Sequence, residues 1–247
     1  MRHPFSTLLF ALALTLPALG AHAMTGAERL AAVDKNGETP TDSFVKMTMT
    51  ITSKDGQEKV REATIKQKGN SKRLFKFESP ADMKGVGILV LEDDVMYVYM
   101  PAFKKVKRLA SSARNDSFMG SDFTYDDMGE MTFVGNYEVT SERDAGESVV
   151  LTLEPLKESS PWKHLEMTVR KKDNAHTQVD YFAKKSGEKE RTLSRGKFRI
   201  DDGKAVADEM IVKDLVKGSS TKIEIREAKS NNGFADDEFS QRYLKRR

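Results

Sequence analysis

Apolar and polar residues alternate along most of the chain after residue 40. In residues 45–52, VKMTMTIT, every second residue is apolar. This period is typical of a half-buried antiparallel strand, because successive side chains point to opposite faces. The pattern predicts strands at about residues 45–52, 58–68, 73–77, 87–91, 95–100, 104–109, 137–142, 148–154, 164–171, 177–182, 190–199, 205–214 and 221–229. We therefore expect a mainly β fold with one large curved antiparallel sheet, curled or closed, and small helices in its connections.

Two segments depart from simple alternation. Thr25 and Glu28 have the spacing of a capping box, which predicts a short amphipathic helix through residue 33. The hairpin at residues 87–100 is apolar on both faces, so we expect its strands to be covered on both sides and to mark the centre of the sheet.

The first 23 residues have the pattern of a secretory signal peptide. A basic start precedes an apolar run at residues 8–19, and small residues stand at Ala21 and Ala23. The run is shorter than the roughly 20 residues that a membrane span needs. We expect cleavage after Ala23 and a mature periplasmic chain that forms a single domain over residues 24–247. An uncleaved N-terminal anchor helix is the alternative.

Composition and charge exclude several classes of function. The chain has 41 Lys and Arg against 38 Asp and Glu, a net charge of +3, and no Cys. The two signs are interleaved, whereas binding to nucleic acid or strong adsorption to an anionic membrane requires a clustered basic excess. Without Cys there is no disulfide, no thiolate metal site and no lipid-modified Cys of a bacterial lipoprotein. The mature chain is therefore expected to be freely soluble.

The sequence offers little to catalysis. Once the signal peptide is removed, only His164 and His176 remain, and both stand in polar surroundings that predict surface positions. The carboxylate pairs fall in predicted turns, and no phosphate-binding loop, nucleophile elbow or EF-hand loop is present. We expect a protein that is not an enzyme and that holds no metal and no cofactor.

Methionine and phenylalanine crowd the first half of the mature chain. The flexible, polarizable side chain of Met suits surfaces that accept variable apolar partners, and a curved sheet with an apolar concave face can form a lipid cavity. The alternative is that these residues fill an ordinary core. The expected cavity residues are Met47, Met49, Ile51, Phe75, Phe77, Met96, Val98, Met100, Phe118, Met119, Phe123 and Met128.

Alternation separates the two faces of the strand at residues 95–100. Met96, Val98 and Met100 share one face, which we assign to the cavity. Tyr97 and Tyr99 share the other, which we expect to be the wet outer side because the tyrosine hydroxyls can reach water there.

A motif in the middle of the chain resembles a known family. The run GSDFTYDDM at residues 120–128, preceded by Pro101 and a basic segment at 104–108, resembles the outer-membrane lipoprotein-sorting (LolA-like) family. Residues 236–244, DDEFSQRYL, are similar to that family's ending. The resemblance spans about residues 25 to 244. It implies an incomplete antiparallel β-barrel, closed on one side by short helices, whose apolar interior shelters the acyl chains of a lipid or lipoprotein crossing the periplasm. The branch that it suggests is often associated with RND-type transporters, which implies an inner-membrane partner.

The motif has a functional and a structural interpretation. Its residues are Gly120, Ser121, Asp122, Tyr125, Asp126 and Asp127. In the structural interpretation Gly120 supplies a positive φ, Asp122 and Asp126 cap a short helix, and the aromatic residues pack under it.

Two functions remain open from the sequence. The first is a carrier that moves its cargo toward the outer membrane. The second is an envelope sensor or accessory subunit that binds lipid or lipoprotein and signals to a membrane partner. The candidate docking surface is the basic strand with Lys104, Lys105, Lys107 and Arg108, whose other interpretation is a solvated edge strand that discourages aggregation. No residue distinguishes a lipoprotein cargo from a free lipid.

Overall fold

One large sheet forms the body of the protein. The structure is a computed structural model that describes residues 24–38, 41–93, 95–129 and 132–246. The strands are β1 (Asp42–Thr52), β2 (Glu58–Lys68), β3 (Lys72–Ser79), β4 (Gly87–Val90), β5 (Met96–Met100), β6 (Lys105–Arg108), β7 (Tyr137–Ala145), β8 (Ser148–Pro155), β9 (Trp162–Arg170), β10 (His176–Ala183), β11 (Lys189–Asp201), β12 (Lys204–Asp214) and β13 (Ser219–Ser230). The α-helices are α1 (Gly26–Gly37), α2 (Tyr125–Gly129) and α3 (Gln241–Leu244), and single helical turns lie at Pro101–Phe103, Ser111–Ala113, Phe118–Gly120 and Asp236–Phe239.

The strands pair in the order β6-β5-β4-β3-β2-β1-β13-β12-β11-β10-β9-β8-β7. Neighbouring strands are antiparallel, and β1 joins the two halves by pairing with β13. The sheet is curved and unclosed, with β6 and β7 at its edges. This confirms the expected incomplete barrel, and each strand that the alternation predicts is present.

The N-terminal capping box is confirmed. The Thr25 hydroxyl accepts a hydrogen bond from the backbone N–H of Glu28, and the Glu28 carboxylate accepts one from the backbone N–H of Thr25. None of the described helices is long and apolar enough to cross a membrane. The predicted signal peptide, residues 1–23, lies outside the described residues.

The apolar hairpin β4–β5 lies near the β6 edge of the sheet and not at its centre, so this part of the sequence prediction was wrong. It is apolar on both faces because separate segments of the chain cover both sides. Met96 and Val98 pack on the inner face, together with Phe118. Tyr97 and Tyr99 lie on the outer face, where they are partly buried against the C-terminal residues.

The C-terminal segment, residues 232–246, forms the outer cover. Phe239 and Leu244 are buried against Leu74 and Leu89. The segment is fixed at its start by the buried Asp42 carboxylate, which accepts hydrogen bonds from the backbone N–H groups of three successive residues, Asn232, Gly233 and Phe234. Because these donors converge on one buried charge, the cover is fastened at the first strand of the sheet.

Two segments cover the inner face and leave a gap between them. Helix α1 lies over β7–β10, where Leu30 and Val33 join a cluster that contains Leu151 and Met167. The motif segment, residues 117–129, lies over β1–β5, where its apolar side chains join a second cluster. Leu193 on β11 packs against both clusters. Part of the inner face of β11–β13 therefore lies between the two covers, whereas Val212 is buried under the motif segment.

Candidate functional site: a cavity between two covers

The gap between α1 and the motif segment is a cavity of about 610 Å³. Its walls include Val33 from α1 and Phe123 and Met128 from the motif segment. Ligand pockets for small molecules commonly occupy about 300–1,000 Å³. The cavity is therefore large enough to hold a substantial part of an extended amphiphile.

The apolar floor of the cavity comes from strands on both sides of the β1–β13 junction. Its larger apolar side chains are Val45, Met47, Ile65, Phe75, Leu193, Phe198, Met210, Ile223 and Ile225. In the register, Met47 faces Ile225, and Met210 faces Ile223, on neighbouring strands. Ile65, Met210 and Ile225 are only partly buried although they pack against the core cluster. Apolar area on these residues is therefore accessible from the cavity.

The structure divides the predicted cavity residues into three groups. Met47, Phe75, Phe123 and Met128 line the cavity. Met49, Ile51, Phe77, Met96, Val98, Phe118 and Met119 belong to or pack against the same inner-face cluster but are not in the cavity wall. Met100 corrects the prediction, because it is 39% exposed where β5 ends, next to the turn at Pro101, and joins neither the cluster nor the cavity.

The inner-face cluster is closed because aromatic rings of the motif segment fill it. The Phe118 ring lies 5.6 Å from the Phe75 ring and 5.5 Å from the Tyr125 ring, both edge to face. The Tyr125 hydroxyl donates to the Met119 sulfur at 3.3 Å. Offset aromatic pairs of this kind stabilise a packed core beyond their buried area. This half of the inner face is thus filled by the protein itself.

Polar groups of the motif fasten it to the sheet. Asp122 accepts hydrogen bonds from the hydroxyls of Ser219 and Thr221 on β13, and its backbone N–H donates to Thr221 Oγ1 at 2.9 Å. The buried Ser121 hydroxyl donates to the Phe118 carbonyl at 2.8 Å and accepts from the backbone N–H of Phe123. These contacts fix the turn that carries Phe118 into the cluster.

The caps of the motif differ from those expected. Gly120 has a positive φ of 78°, as the structural interpretation expects. Helix α2, however, begins with a reciprocal pair in which Thr124 N–H donates to the Asp127 carboxylate and Asp127 N–H donates to the Thr124 hydroxyl. Asp126 forms an ion pair with Arg114 at 2.7 Å. Asp122 and Asp126 are therefore tethers of the segment and not helix caps.

Helix α2 is held from both sides of the cavity. Arg73 on β3 donates to the Met128 carbonyl at 2.7 Å. Arg191 on β11 forms a buried ion pair with Asp127. Burial opposes the charge of Arg191, but Asp127 more than offsets this and raises the pKa of the guanidinium above its usual value. The two arginines position α2 over the gap.

His176 lies in the cavity wall, which overturns its predicted surface position. It is 8% exposed, its ring packs edge to face on Phe133, and Arg195 Nη1 lies 3.0 Å from its Nε2. Burial, with the charge of Arg195 as a second cause, holds the pKa of His176 well below its usual value. The ring is therefore neutral at pH 7 and accepts a hydrogen bond from Arg195. His164 stays partly exposed, stacked on Phe182 at 4.3 Å.

The half of the cavity that β10–β13 form was not predicted from the sequence. Its residues include His176, Arg195, Met210 and Ile225. A signal was present, because Arg191 and Arg195 stand among the residues of one long strand, four positions apart and on the same face. Only the fold shows that this face turns inward. Within the described part of the chain, no group of three His, Asp or Glu side chains is placed to hold a metal ion.

The basic docking candidates lie where the sequence predicts a strand. Lys104 precedes β6, and Lys105, Lys107 and Arg108 belong to it. All four are exposed, and β6 pairs only with β5. This is the position of an edge strand.

The fold and motif have counterparts among known proteins. Residues 69–246, more than half of the chain, match the model of a family described only as an uncharacterized protein. A DUF1329 family protein from Desulfovibrio piger superposes with a TM-score of 0.78 at 26% identity, over 87% of this chain and 96% of that one. A Vibrio parahaemolyticus domain described as an outer membrane lipoprotein-sorting protein superposes with a TM-score of 0.77 at 23% identity, over 88% and 97%. The chain belongs to the family of that model, and its fold is LolA-like.

Another solved structure has the same fold. The LolA superfamily protein NE2245 from Nitrosomonas europaea superposes with a TM-score of 0.75 at 18% identity, over 90% of this chain and 100% of that one. At this identity the likeness concerns the fold. Curated proteins give no match by sequence. The function of this LolA-like chain is therefore argued from its cavity.

Proposed function

We propose that the protein is a periplasmic carrier that binds the acyl chains of a lipid or lipoprotein in the cavity between α1 and the motif segment, and moves them toward the outer membrane. The observation that carries the proposal is the cavity of about 610 Å³ on an otherwise covered face, floored by side chains such as Met47, Met210 and Ile225. The LolA-like fold of lipoprotein-sorting proteins supports the same reading.

The driving force is the removal of methylene groups from water. Each buried methylene contributes about 0.8 kcal/mol, so a dozen contribute on the order of 10 kcal/mol before the costs of association are subtracted. No catalytic residue is needed for this activity. Met47, Met128 and Met210 line the cavity with flexible side chains that adapt to chains of different shape.

Location and partner complete the proposal. The signal-peptide pattern of residues 1–23 supports export, with cleavage after Ala23. The exposed basic strand β6 is the proposed docking surface for an inner-membrane transporter of the RND type, since an unpaired edge with Lys105, Lys107 and Arg108 can meet an acidic surface.

Filling the cavity tests the carrier proposal. Ile225→Trp places an indole at the cavity floor and should abolish binding of a fluorescent fatty-acid analogue to delipidated protein, with little change in thermal stability. Arg226→Trp is the matched control, because Arg226 is the next residue of β13 and is exposed on the other face. Equal binding by wild type, Ile225→Trp and Arg226→Trp would show that the cavity is not the acyl site.

A further inference from the structure

The charged residues of the cavity wall are not all neutralised by partners. Arg191 pairs with Asp127, as described above. Arg199 pairs with two carboxylates, Asp201 at 2.7 Å and Asp208 at 3.0 Å. These two arginines are compensated by the protein itself. Arg73 and Arg195 line the same cavity and have no ion pair with any described residue.

Arg195 has few partners of any kind. Its Nη1 contacts the His176 ring, at 3.0 Å from Nε2 and 3.4 Å from Nδ1, and its Nη2 lies 3.8 Å from the Met210 sulfur. Its Nε is buried without a hydrogen-bond partner in the described part of the chain. Because His176 is neutral, none of these contacts supplies negative charge. A guanidinium with five N–H donors is therefore left with spare donors at the cavity wall.

Arg73 is hydrogen-bonded, but no carboxylate in the described part of the chain pairs with it. Its Nε and Nη2 donate to the Gln67 side-chain oxygen at 3.2 and 3.0 Å, and its Nη1 donates to the Met128 carbonyl. Both acceptors are neutral. Burial lowers the pKa of Arg73 and of Arg195 to about 10, so both remain charged at pH 7.

The position of Arg73 and Arg195 indicates which chemical group a ligand would bring to the cavity. Both side chains line the cavity and are partly exposed, although burial dominates their pKa. A largely buried cation without an anion is unfavourable, and a ligand that supplies the anion relieves this cost. The apolar floor at Met210 lies directly beside Arg195.

We infer that the cavity selects amphiphiles with an anionic end group, a carboxylate or a phosphate. The acyl chain lies on the apolar floor, and Arg195 binds the anion. Arg73 is a second cation of the same cavity wall. The inference rests on the proposed function and narrows it to one class of ligand. A fatty acid or a monoacylglycerol phosphate contacts both the apolar floor and the arginines, whereas a neutral chain contacts only the floor. Bidentate pairing of guanidinium with carboxylate or phosphate gives the selectivity.

The test compares ligands that share a chain and differ in charge. Displacement of the neutral dye N-phenyl-1-naphthylamine from delipidated protein is measured for palmitate, for palmitoyl lysophosphatidate and for hexadecanol. The wild type should bind at least one anion about tenfold or more tightly than hexadecanol, as expected for a hydrogen-bonded charge pair. The arm with the higher affinity, carboxylate or phosphate, identifies the anion.

Two variants separate charge from packing. Arg195→Met should lose the preference for the anion, with hexadecanol affinity unchanged within about twofold, and should melt no lower than the wild type because it removes an uncompensated charge. Arg226→Met is the control, since Arg226 is exposed on the other face of the sheet and does not line the cavity, and it should keep the preference. If Arg195→Met folds poorly, the affinities for the anions and for hexadecanol are compared in Arg195→Gln and Arg73→Met instead.

The outcomes distinguish the two proposals. Equal affinity of the wild type for palmitate, lysophosphatidate and hexadecanol would overturn the anionic ligand and leave the carrier intact. An equal loss of all three ligands in Arg195→Met would show that Arg195 only packs the cavity wall. Displacement by none of the three would overturn the carrier itself.

Discussion

The inner face of the sheet has two regions built from the same kind of strand. Directly under the motif segment, Phe118 fills the space and leaves a closed core that extends from β5 to Val212 on β12. Between the motif segment and α1, no segment of the described chain fills the face in this way. The cavity there has a floor from β1–β3 and β11–β13 and a wall that carries Arg195 and His176. Strand alternation is alike in both regions. The difference shows that the covering segment, and not the strand pattern, decides whether an apolar face becomes core or cavity.

The largest expected effect compares the two regions directly. Phe118 is fully buried and packs against Phe75 and Tyr125. Phe118→Ala should lower the free energy of unfolding by about 3–5 kcal/mol, because it leaves a void in a packed core. Phe198 lines the cavity and is only partly buried, so Phe198→Ala should cost about 1–2 kcal/mol. Urea unfolding of both variants measures this, and similar losses would break the distinction between core and cavity.

A smaller effect concerns the tether that keeps the motif segment in place. Asp122→Ala removes the acceptor of the Ser219 and Thr221 hydroxyls, and Thr221 is fully buried. The unpaired hydroxyls should cost about 1–3 kcal/mol. A double-mutant cycle with Thr221→Val checks the assignment. If the two losses simply add, Asp122 and Thr221 do not act as one contact.

The third effect is a pH dependence that belongs to the cavity wall. His176 has a lowered pKa in the folded protein, through burial and then Arg195, so the unfolded chain takes up a proton near pH 6.5 while the folded chain does not. Stability is therefore complete above this pH. It should fall as the pH drops below it, by about 1.4 kcal/mol per pH unit. Chemical denaturation between pH 7.5 and 5 should show this slope, and His176→Gln should remove it. An unchanged slope in the variant would place the titrating group elsewhere.

The smallest effect is expected at the basic edge. Exposed residues away from the core change stability by less than about 0.5 kcal/mol, so the double variant Lys105→Glu, Lys107→Glu should keep the melting temperature and the fatty-acid affinity of the wild type. Thermal melts and dye displacement check this. A clear loss of affinity would mean that β6 contributes to the cavity and is not only an outer surface.

Periodicity was sufficient to predict the sheet but not its covers. Each predicted strand is present, because alternation is a local signal that successive side chains carry. The hairpin β4–β5 was assigned to the centre of the sheet because its sequence is apolar on both faces. Such a sequence predicts that both faces are covered, but it does not predict where in the sheet the hairpin lies or which segments cover it. The C-terminal residues Phe239 and Leu244, distant in sequence, cover its outer face.

The site was harder to predict than the fold. Met47 and Phe75 were assigned to the cavity and lie in its wall, whereas Val98 and Phe118 share their chemistry but lie in closed core. Whether one of these residues lines the cavity depends on where the motif segment ends. That end is more than 50 positions along the chain from Met47 and from Phe75. His176 was assigned to the surface from its polar neighbours. Its burial depends on Phe133 and Arg195, which only the folded chain brings together.

The central claim, that the gap between the two covers is the acyl site, is tested most directly by a crystal structure of the delipidated protein soaked with 16-bromohexadecanoate. We expect anomalous bromine density inside the cavity, on its apolar floor, with the motif segment and Phe118 in place. Bromine density on the outer face, or between the motif segment and β1–β5 with Phe118 displaced, would contradict it.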